Sequence, residues 1–239
     1  MPAKLYALSL SHPSQAARLM LEHKGIDHEV IDLLAGVHPL QLRAAGFRGG
    51  TVPALKLDGR RVQGSLPISR VLEQTRPDPP LFPAQRRAAV EEAETWGEAE
   101  LQPVPRRLFR WAASHSLPLR RWLADEVVGL PAPGLMARGY GPVARVFVRM
   151  AGASDARVRA DLADLPANLD RVDDLIAAGT IGGEVPNAAD FQIATTVRVL
   201  MAFDDLRGQV EGRPAGDLAM RLLPRFPGPI PRALPPEWL

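Results

Sequence analysis

Three serines stand where a folded chain can present them to an anion. Ser11, in Ser11-His12-Pro13-Ser14, comes just before a helical pattern, and Ser65, in Gly64-Ser65-Leu66-Pro67, opens another. A serine at a helix start has two uses. Its oxygen can accept a hydrogen bond from the first backbone N–H groups and cap the helix. Alternatively, its hydroxyl and those N–H groups can converge on one bound anion. The chain contains no Cys, which excludes a catalytic cysteine, a thiolate metal site and a CxxC redox pair. Thiol chemistry would therefore act on a thiol that arrives as a ligand. A free thiol has a pKa of about 8.5, and lowering it by about two units takes about 2.7 kcal/mol of preference for the anion. A hydroxyl aimed at sulfur and a nearby helix N-terminus have the right sign and size. Ser11 would act as a hydrogen-bond donor and not as a covalent nucleophile, with Ser14 the next candidate. From spacing alone, capping is the simpler role for either serine, and His12 is a bystander beside them.

The elements around these residues are legible from pattern. Lys4–Ser9 alternates as a half-buried strand does, and Ser14–Lys24 has helical spacing ending at Gly25. His28–Leu33 reads as a second strand and Pro39–Ala45 as a short helix. Ala54–Leu57 and Arg60–Val62 flank Asp58-Gly59, a strong local hairpin signal. Leu66–Gln74 completes the series as a helix with Pro67 in its first turn. The order is β-α-β-α-β-β-α, so the first two strands should be parallel and the hairpin antiparallel.

The segment Arg76-Pro77-Asp78-Pro79-Pro80-Leu81-Phe82-Pro83 cannot continue a helix. Beyond it the pattern is helical: Ala84–Ala113, bent by Pro103 and Pro105, then Arg121–Val128, Val143–Met150, Asp155–Ala178 and Ala188–Phe203. Pro166 should mark a bend or break in the fourth of these. Leu223–Leu239 is Pro-rich and reads as an irregular tail packed on the surface.

Composition sets the outer bounds. The 239 residues, 46% of them hydrophobic, are enough for one large domain or two small ones with a real core. Net charge is +2 with both signs interleaved, and all but Lys4, Lys24 and Lys56 of the 29 basic residues are arginine. Nothing resembles a nucleic-acid-binding stripe. Residues 1–76 carry 10 basic and 6 acidic groups, a modest bias suited to a small anionic ligand. No apolar run is long enough to span a membrane, and the first residues do not read as a signal peptide, so a cytoplasmic protein is expected.

A βαβαββα unit, a Pro-rich linker and an all-helical remainder resemble the glutathione transferase superfamily, notably serine-type, delta/theta/zeta-like bacterial members. Four separated motifs carry the resemblance. Ser11-His12-Pro13-Ser14 followed by Ala16-Ala17-Arg18 looks like the Ser-x-Pro entry of serine-type enzymes. Thr51-Val52-Pro53-Ala54-Leu55 is similar to the family's Val-Pro-x-Leu with a cis-proline. Gly64-Ser65-Leu66-Pro67-Ile68 stands where the family has Glu-Ser or Asp-Ser. Asn187-Ala188-Ala189-Asp190 resembles the capping box that opens the core helix of the second domain.

The resemblance implies a thioredoxin-like α/β N-terminal domain (residues 1–76), a linker (77–84) and an all-α C-terminal domain (85–239) with its Pro-rich tail. It implies glutathione, or a related small thiol, as co-substrate without a metal, and conjugation of that thiol to an electrophile. Ser11 would hold the thiolate, Val52 and Pro53 the ligand's peptide, and Ser65 the γ-glutamyl carboxylate. His38, Gln41, Arg43 and Arg48 lie in the region that faces the glycine carboxylate. Gly64 departs from the family, whose acidic residue there pairs with the ligand's amino group. Gln63, one residue away, points elsewhere. Trp96, Arg106, Phe109, Arg110 and Trp111 lie on the helix that borders the electrophile pocket, although aromatics at helical spacing are ordinarily core. Asp190 is assigned to folding. A homodimer is implied, with no nucleic acid or membrane partner. The alternative is a non-catalytic binding or scaffolding protein whose thiol site Gly64 marks as degraded, and a further alternative keeps the thiol but performs isomerisation or peroxide reduction.

Overall fold

The computed structural model describes residues 2–127, 132–226 and 228–239, and the side chains of all of these but Glu126 and Val127. Val128, at the end of one expected helix, and Pro227, in the tail, lie outside the described residues. The order begins β1 (Ala3–Ala7), α1 (His12–His23), β2 (His28–Asp32), α2 (His38–Ala44), β3 (Ala54–Leu57), β4 (Arg60–Gln63) and α3 (Ser65–Thr75). The four strands form one sheet in the order β2-β1-β3-β4. β1 and β2 are parallel, with Leu5 opposite Val30, while β3 runs antiparallel to both β1 and β4. The hairpin forms at the expected pair, Asp58 and Gly59 both taking positive φ (48° and 78°), as a two-residue turn between twisted strands requires.

Side-chain alternation divides the sheet faces. Tyr6, Ile31 and Ala54 sit opposite one another and join Leu33, Leu42 and Phe47 in one cluster on the α2 side. Leu5 and Leu55, fully buried, face the other way, on the side where α1 and α3 pack together through helices that bury Met20, Leu21, Ile68 and Leu72.

The Pro-rich segment is tied down. Lys24 is buried, and its Nζ donates to Glu73 Oε2 (2.5 Å) and to the carbonyls of Pro77 (3.2 Å) and Pro79 (2.6 Å). Glu73 also accepts from the Leu81 N–H (2.8 Å). Phe82 is buried with the Arg70 guanidinium over its ring at 4.1 Å.

Helices follow: α4 (Arg87–Trp96), α5 (Pro103–His115), α6 (Leu117–Trp122), α7 (Pro133–Gly139), α8 (Gly141–Met150), α9 (Asp155–Ala177), α10 (Ala188–Ala202), α11 (Arg207–Val210) and α12 (Pro214–Leu222). The expected helix over 84–113 is divided by a widened turn at Gly97–Leu101, immediately ahead of Pro103 and Pro105, which lack the N–H groups to continue the ladder. Pro166 breaks nothing: α9 runs through it uninterrupted. Pro166 is exposed, while Val158, Leu162, Leu165, Leu169 and Val172 form a continuous buried stripe that holds the helix together across the missing bond.

By contacts the chain makes two compact units, one of residues up to Ala99 with Leu175–Thr196, the other Glu100–Asp174 with Val197–Leu239. Within the second, Arg107 forms a two-bond pair with Asp161, and Asp173 accepts from the Ala215 N–H (2.8 Å) at the start of α12. The tail adds a parallel bridge between Ile230 and Phe203, and Trp238 lies against Trp111 with ring centroids 4.8 Å apart. Among the described residues no helix is long and apolar enough to cross a membrane.

Candidate functional site

Register alone gathers the candidate residues. The C-terminal end of β1 pairs Ala7 with Asp32, so the segments after β1 and β2, carrying Ser11 and His38, leave the sheet at the same end. β3 is antiparallel to β1, so its first residue Ala54, opposite Tyr6, lies at that end with Val52–Pro53 just before it. Ala54 also pairs with Gln63, the last residue of β4, which places Gly64 and Ser65 there too. The Gly64 N–H donates to the Pro53 carbonyl (2.9 Å), joining two of these segments directly. The hairpin turn at Asp58-Gly59 is at the opposite end.

At α1, Ser11 is the N-cap, and its Oγ accepts from the Ser14 N–H (3.3 Å) and the Ser14 hydroxyl (3.0 Å). Ser11 is half-buried and Ser14 fully buried. The Ser11 oxygen caps the helix through the Ser14 N–H, and in its bond with the Ser14 hydroxyl either oxygen can supply the proton. Capping and donation, alternatives on spacing alone, are thus compatible in one hydroxyl. Ser14, fully buried, holds the Ser11 hydroxyl through both its N–H and its own hydroxyl.

The Val52–Pro53 peptide bond is cis. Among the described residues, neither the N–H nor the C=O of Val52 has a backbone partner. The loop before it is held by Gln63, whose Oε1 accepts from the Gly49 N–H (2.8 Å) and whose Nε2 donates to the carbonyls of Gly49 and Thr51 (3.1 Å each). Gln63 is a tether that sequence reading did not find. Its amide mimics a peptide unit across 14 residues, and no local pattern announces that.

Helix α3 begins at Gly64, which has φ 92° and ψ 148° and supplies no side-chain cap. That region is nearly exclusive to glycine, so the departure from an acidic residue is matched by the backbone itself. Ser65 follows with 1% exposure, and its Oγ has no hydrogen-bond partner among the described residues. A buried hydroxyl normally finds a partner. Here it sits beside the uncapped first turn of an eleven-residue helix, where N–H groups favour an anion.

The other expected residues take structural or peripheral positions. His38 opens α2 half-buried. Gln41 is used by the loop, accepting from the Leu34 N–H (2.9 Å), and Arg43 and Arg48 are exposed. Trp96 and Trp111 are core, Trp111 donating to Asp155 (2.8 Å). Arg106 is exposed and bonded to Gln102. Arg110 is half-buried, and burial lowers its pKa, an effect that Tyr140 beside it opposes. Asp190 is fully buried in a closed cap: its carboxylate accepts from the N–H groups of Gly182 (2.6 Å) and Asn187 (2.9 Å), while Asn187 Oδ1 accepts from Ala189 (3.0 Å) and Asp190 (3.3 Å). No cluster of three or more His, Asp or Glu placed to hold a metal occurs among the described residues.

Residues 5–80 match the family model of the glutathione S-transferase N-terminal domain. A maleylacetoacetate isomerase of Mus musculus is 34% identical over 113 residues, which are 42% of this chain and 49% of that protein. The chain therefore spans about half the length of the curated relatives it matches. Among solved structures, glutathione S-transferase III in its apo form superposes with TM-score 0.62 at 18% identity, covering 97% of this chain and 100% of that one. A glutathione S-transferase of Methylobacterium radiotolerans, solved with glutathione sulfonate, gives TM-score 0.51 at 18% identity, covering 98% and 97%. Residues 5–80 thus match a glutathione S-transferase N-terminal domain, and the chain as a whole shares the fold of the solved glutathione S-transferases.

Proposed function

We propose that the chain binds glutathione, or a related small thiol, at the end of the sheet that carries Ser11, Val52–Pro53 and Ser65, and activates it as a thiolate. The observation that carries this is the buried Ser65 hydroxyl, without a partner among the described residues, at an uncapped helix start on the same end of the sheet as Ser11. Ser65 and the first turn of α3 hold a carboxylate, the Val52 N–H and C=O pair with the ligand's peptide, and His38 faces its second carboxylate. Ser11 donates to sulfur. In conjugation the thiolate forms the C–S bond, the leaving group departs with its electron pair, and the thiol proton passes to solvent. Residues 1–76 form the thiol-binding domain and the helices beyond the 77–84 linker supply the electrophile pocket.

The curated isomerase relatives favour a second use of the same thiolate. Reversible addition to a conjugated double bond, rotation and expulsion would leave glutathione unconsumed. Glutathione balance with an electrophile separates the two. Titration calorimetry with glutathione tests the shared reading: micromolar to millimolar binding is expected, weakened at least tenfold in Ser65→Ala, and a folded protein that takes up no glutathione at millimolar concentration removes it. Failure of Ser11→Ala to change turnover would instead favour the non-catalytic alternative. We further propose a cytoplasmic homodimer, supported by the exposed apolar side chains Val143, Val146 and Met150 on α8, which sedimentation tests.

A further inference from the structure

The charges around the sheet end point to a substrate class, an inference that rests on the thiol-binding reading above. Residues 1–76 contain six carboxylates, and five are placed or engaged away from the candidate residues. Glu22 is late in α1, beside Arg18 at 3.7 Å. Asp27 precedes β2, and Glu29 near its start pairs with Lys4 at 3.1 Å. Asp58 is in the hairpin turn at the far end of the sheet, and Glu73 holds Lys24. Only Asp32 lies at the near end, and it accepts the Ser9 hydroxyl at 2.7 Å.

Residues 63–65, at the start of α3, carry no acid either. Gly64 has no side chain, and its φ of 92° strains any replacement, whose Cβ would also meet Pro67 Cδ at 3.3 Å. Gln63 spends its amide on Gly49 and Thr51. What remains there is uncharged: backbone N–H donors and the Ser65 hydroxyl, with no carboxylate among residues 63–65. Donors at a helix N-terminus bind a carboxylate, whereas a desolvated ammonium is held best by a counter-charge, which residues 63–65 do not supply.

We infer that this site reads the carboxylate at the α3 end of its thiol ligand and does not read the neighbouring amine, so that its substrates extend to thiol carboxylates whose amine is blocked or missing. The residue that sets this breadth is Gly64.

Three tripeptide thiols test it by calorimetry on the full chain. Glutathione carries both groups; glutaryl-cysteinyl-glycine keeps the carboxylate and lacks the amine; 4-aminobutyryl-cysteinyl-glycine keeps the amine and lacks the carboxylate. The first two are expected to bind within threefold of each other, and the third at least tenfold more weakly. In Ser65→Ala the first two should each weaken at least tenfold, converging on the third, with near-ultraviolet circular dichroism confirming an intact fold. Glutathione binding tenfold tighter than its amine-free analogue overturns the inference and leaves the thiol site standing. So does equal binding of all three. If none of the three binds, the underlying thiol-site reading falls, and the inference with it.

Discussion

Two helix starts in the same compact unit are built to opposite ends. At α10 every group is answered: Asp190 accepts from Gly182 and Asn187, and Asn187 accepts from Ala189 and Asp190. At α3 the N-cap position is a glycine with nothing to offer, and the buried hydroxyl of Ser65, the first helical residue, has no partner among the described residues. Both are buried and both lie in a stable helix, so the difference is not one of packing quality. A saturated N-terminus contributes stability and nothing else, whereas an unsaturated one gives up stability to keep donors available.

The largest effect should come from unsaturating the first. Asp190→Ala strands two buried N–H groups and should lower unfolding free energy by about 2–5 kcal/mol, measured by urea titration, without moving thiol affinity in the folded fraction. Between the two extremes lies Glu94, fully buried, with Oε2 bonded to Arg70 at 2.5 Å and Oε1 lacking a partner. Burial raises its pKa to about 7 from an ordinary 4.5, with Arg70 and Ser69 pulling the other way. The folded chain therefore holds this proton where the unfolded chain has lost it, so stability should fall as pH rises from about 4.5 to about 7 and level off above. The loss should be about 3 kcal/mol, and Glu94→Gln should flatten that part of the pH profile.

Ser11→Ala removes a cap and, on the proposed function, the sulfur's hydrogen-bond donor. Turnover should drop about a hundredfold, with stability lower by about 1 kcal/mol and the bound thiol's pKa, read from thiolate absorbance, returning toward its free value. The smallest stability change belongs to Ser65→Ala. Deleting an unanswered hydroxyl should leave the unfolding free energy within about 0.5 kcal/mol of the parent, or raise it slightly. A loss comparable to that of Asp190→Ala would erase the contrast between the two helix starts.

Much of this was legible in the sequence where the physics is local. The Asp58-Gly59 turn, the capping pair Asn187 and Asp190, and the serines at helix starts each act within a few residues of themselves, and each sits where spacing placed it. What escaped acts at a distance. Of the bend or break expected at Pro166, the break does not occur, because a buried apolar stripe outweighs one missing hydrogen bond. Helix α12 went unread although Pro214 marks its first turn, because Asp173, 42 residues away, supplies its cap. Gln63 looked like a failed substitute for an acidic neighbour and is instead a brace for the loop before Pro53. Whether Ser11 capped or donated could not be separated by spacing. The structure shows the cap, through the Ser14 N–H, and the donor role belongs to the proposed function.

The grip of Lys24 on the Pro77 and Pro79 carbonyls bears on modular exchange between chains of this fold. A chimera joined after residue 76 would keep a buried ammonium while changing the peptide oxygens that solvate it, and the graft would inherit a misfit at the join. Crossovers that carry residues 24, 73 and 77–82 as one block avoid that fault, which makes the proline segment part of the cargo and not the seam.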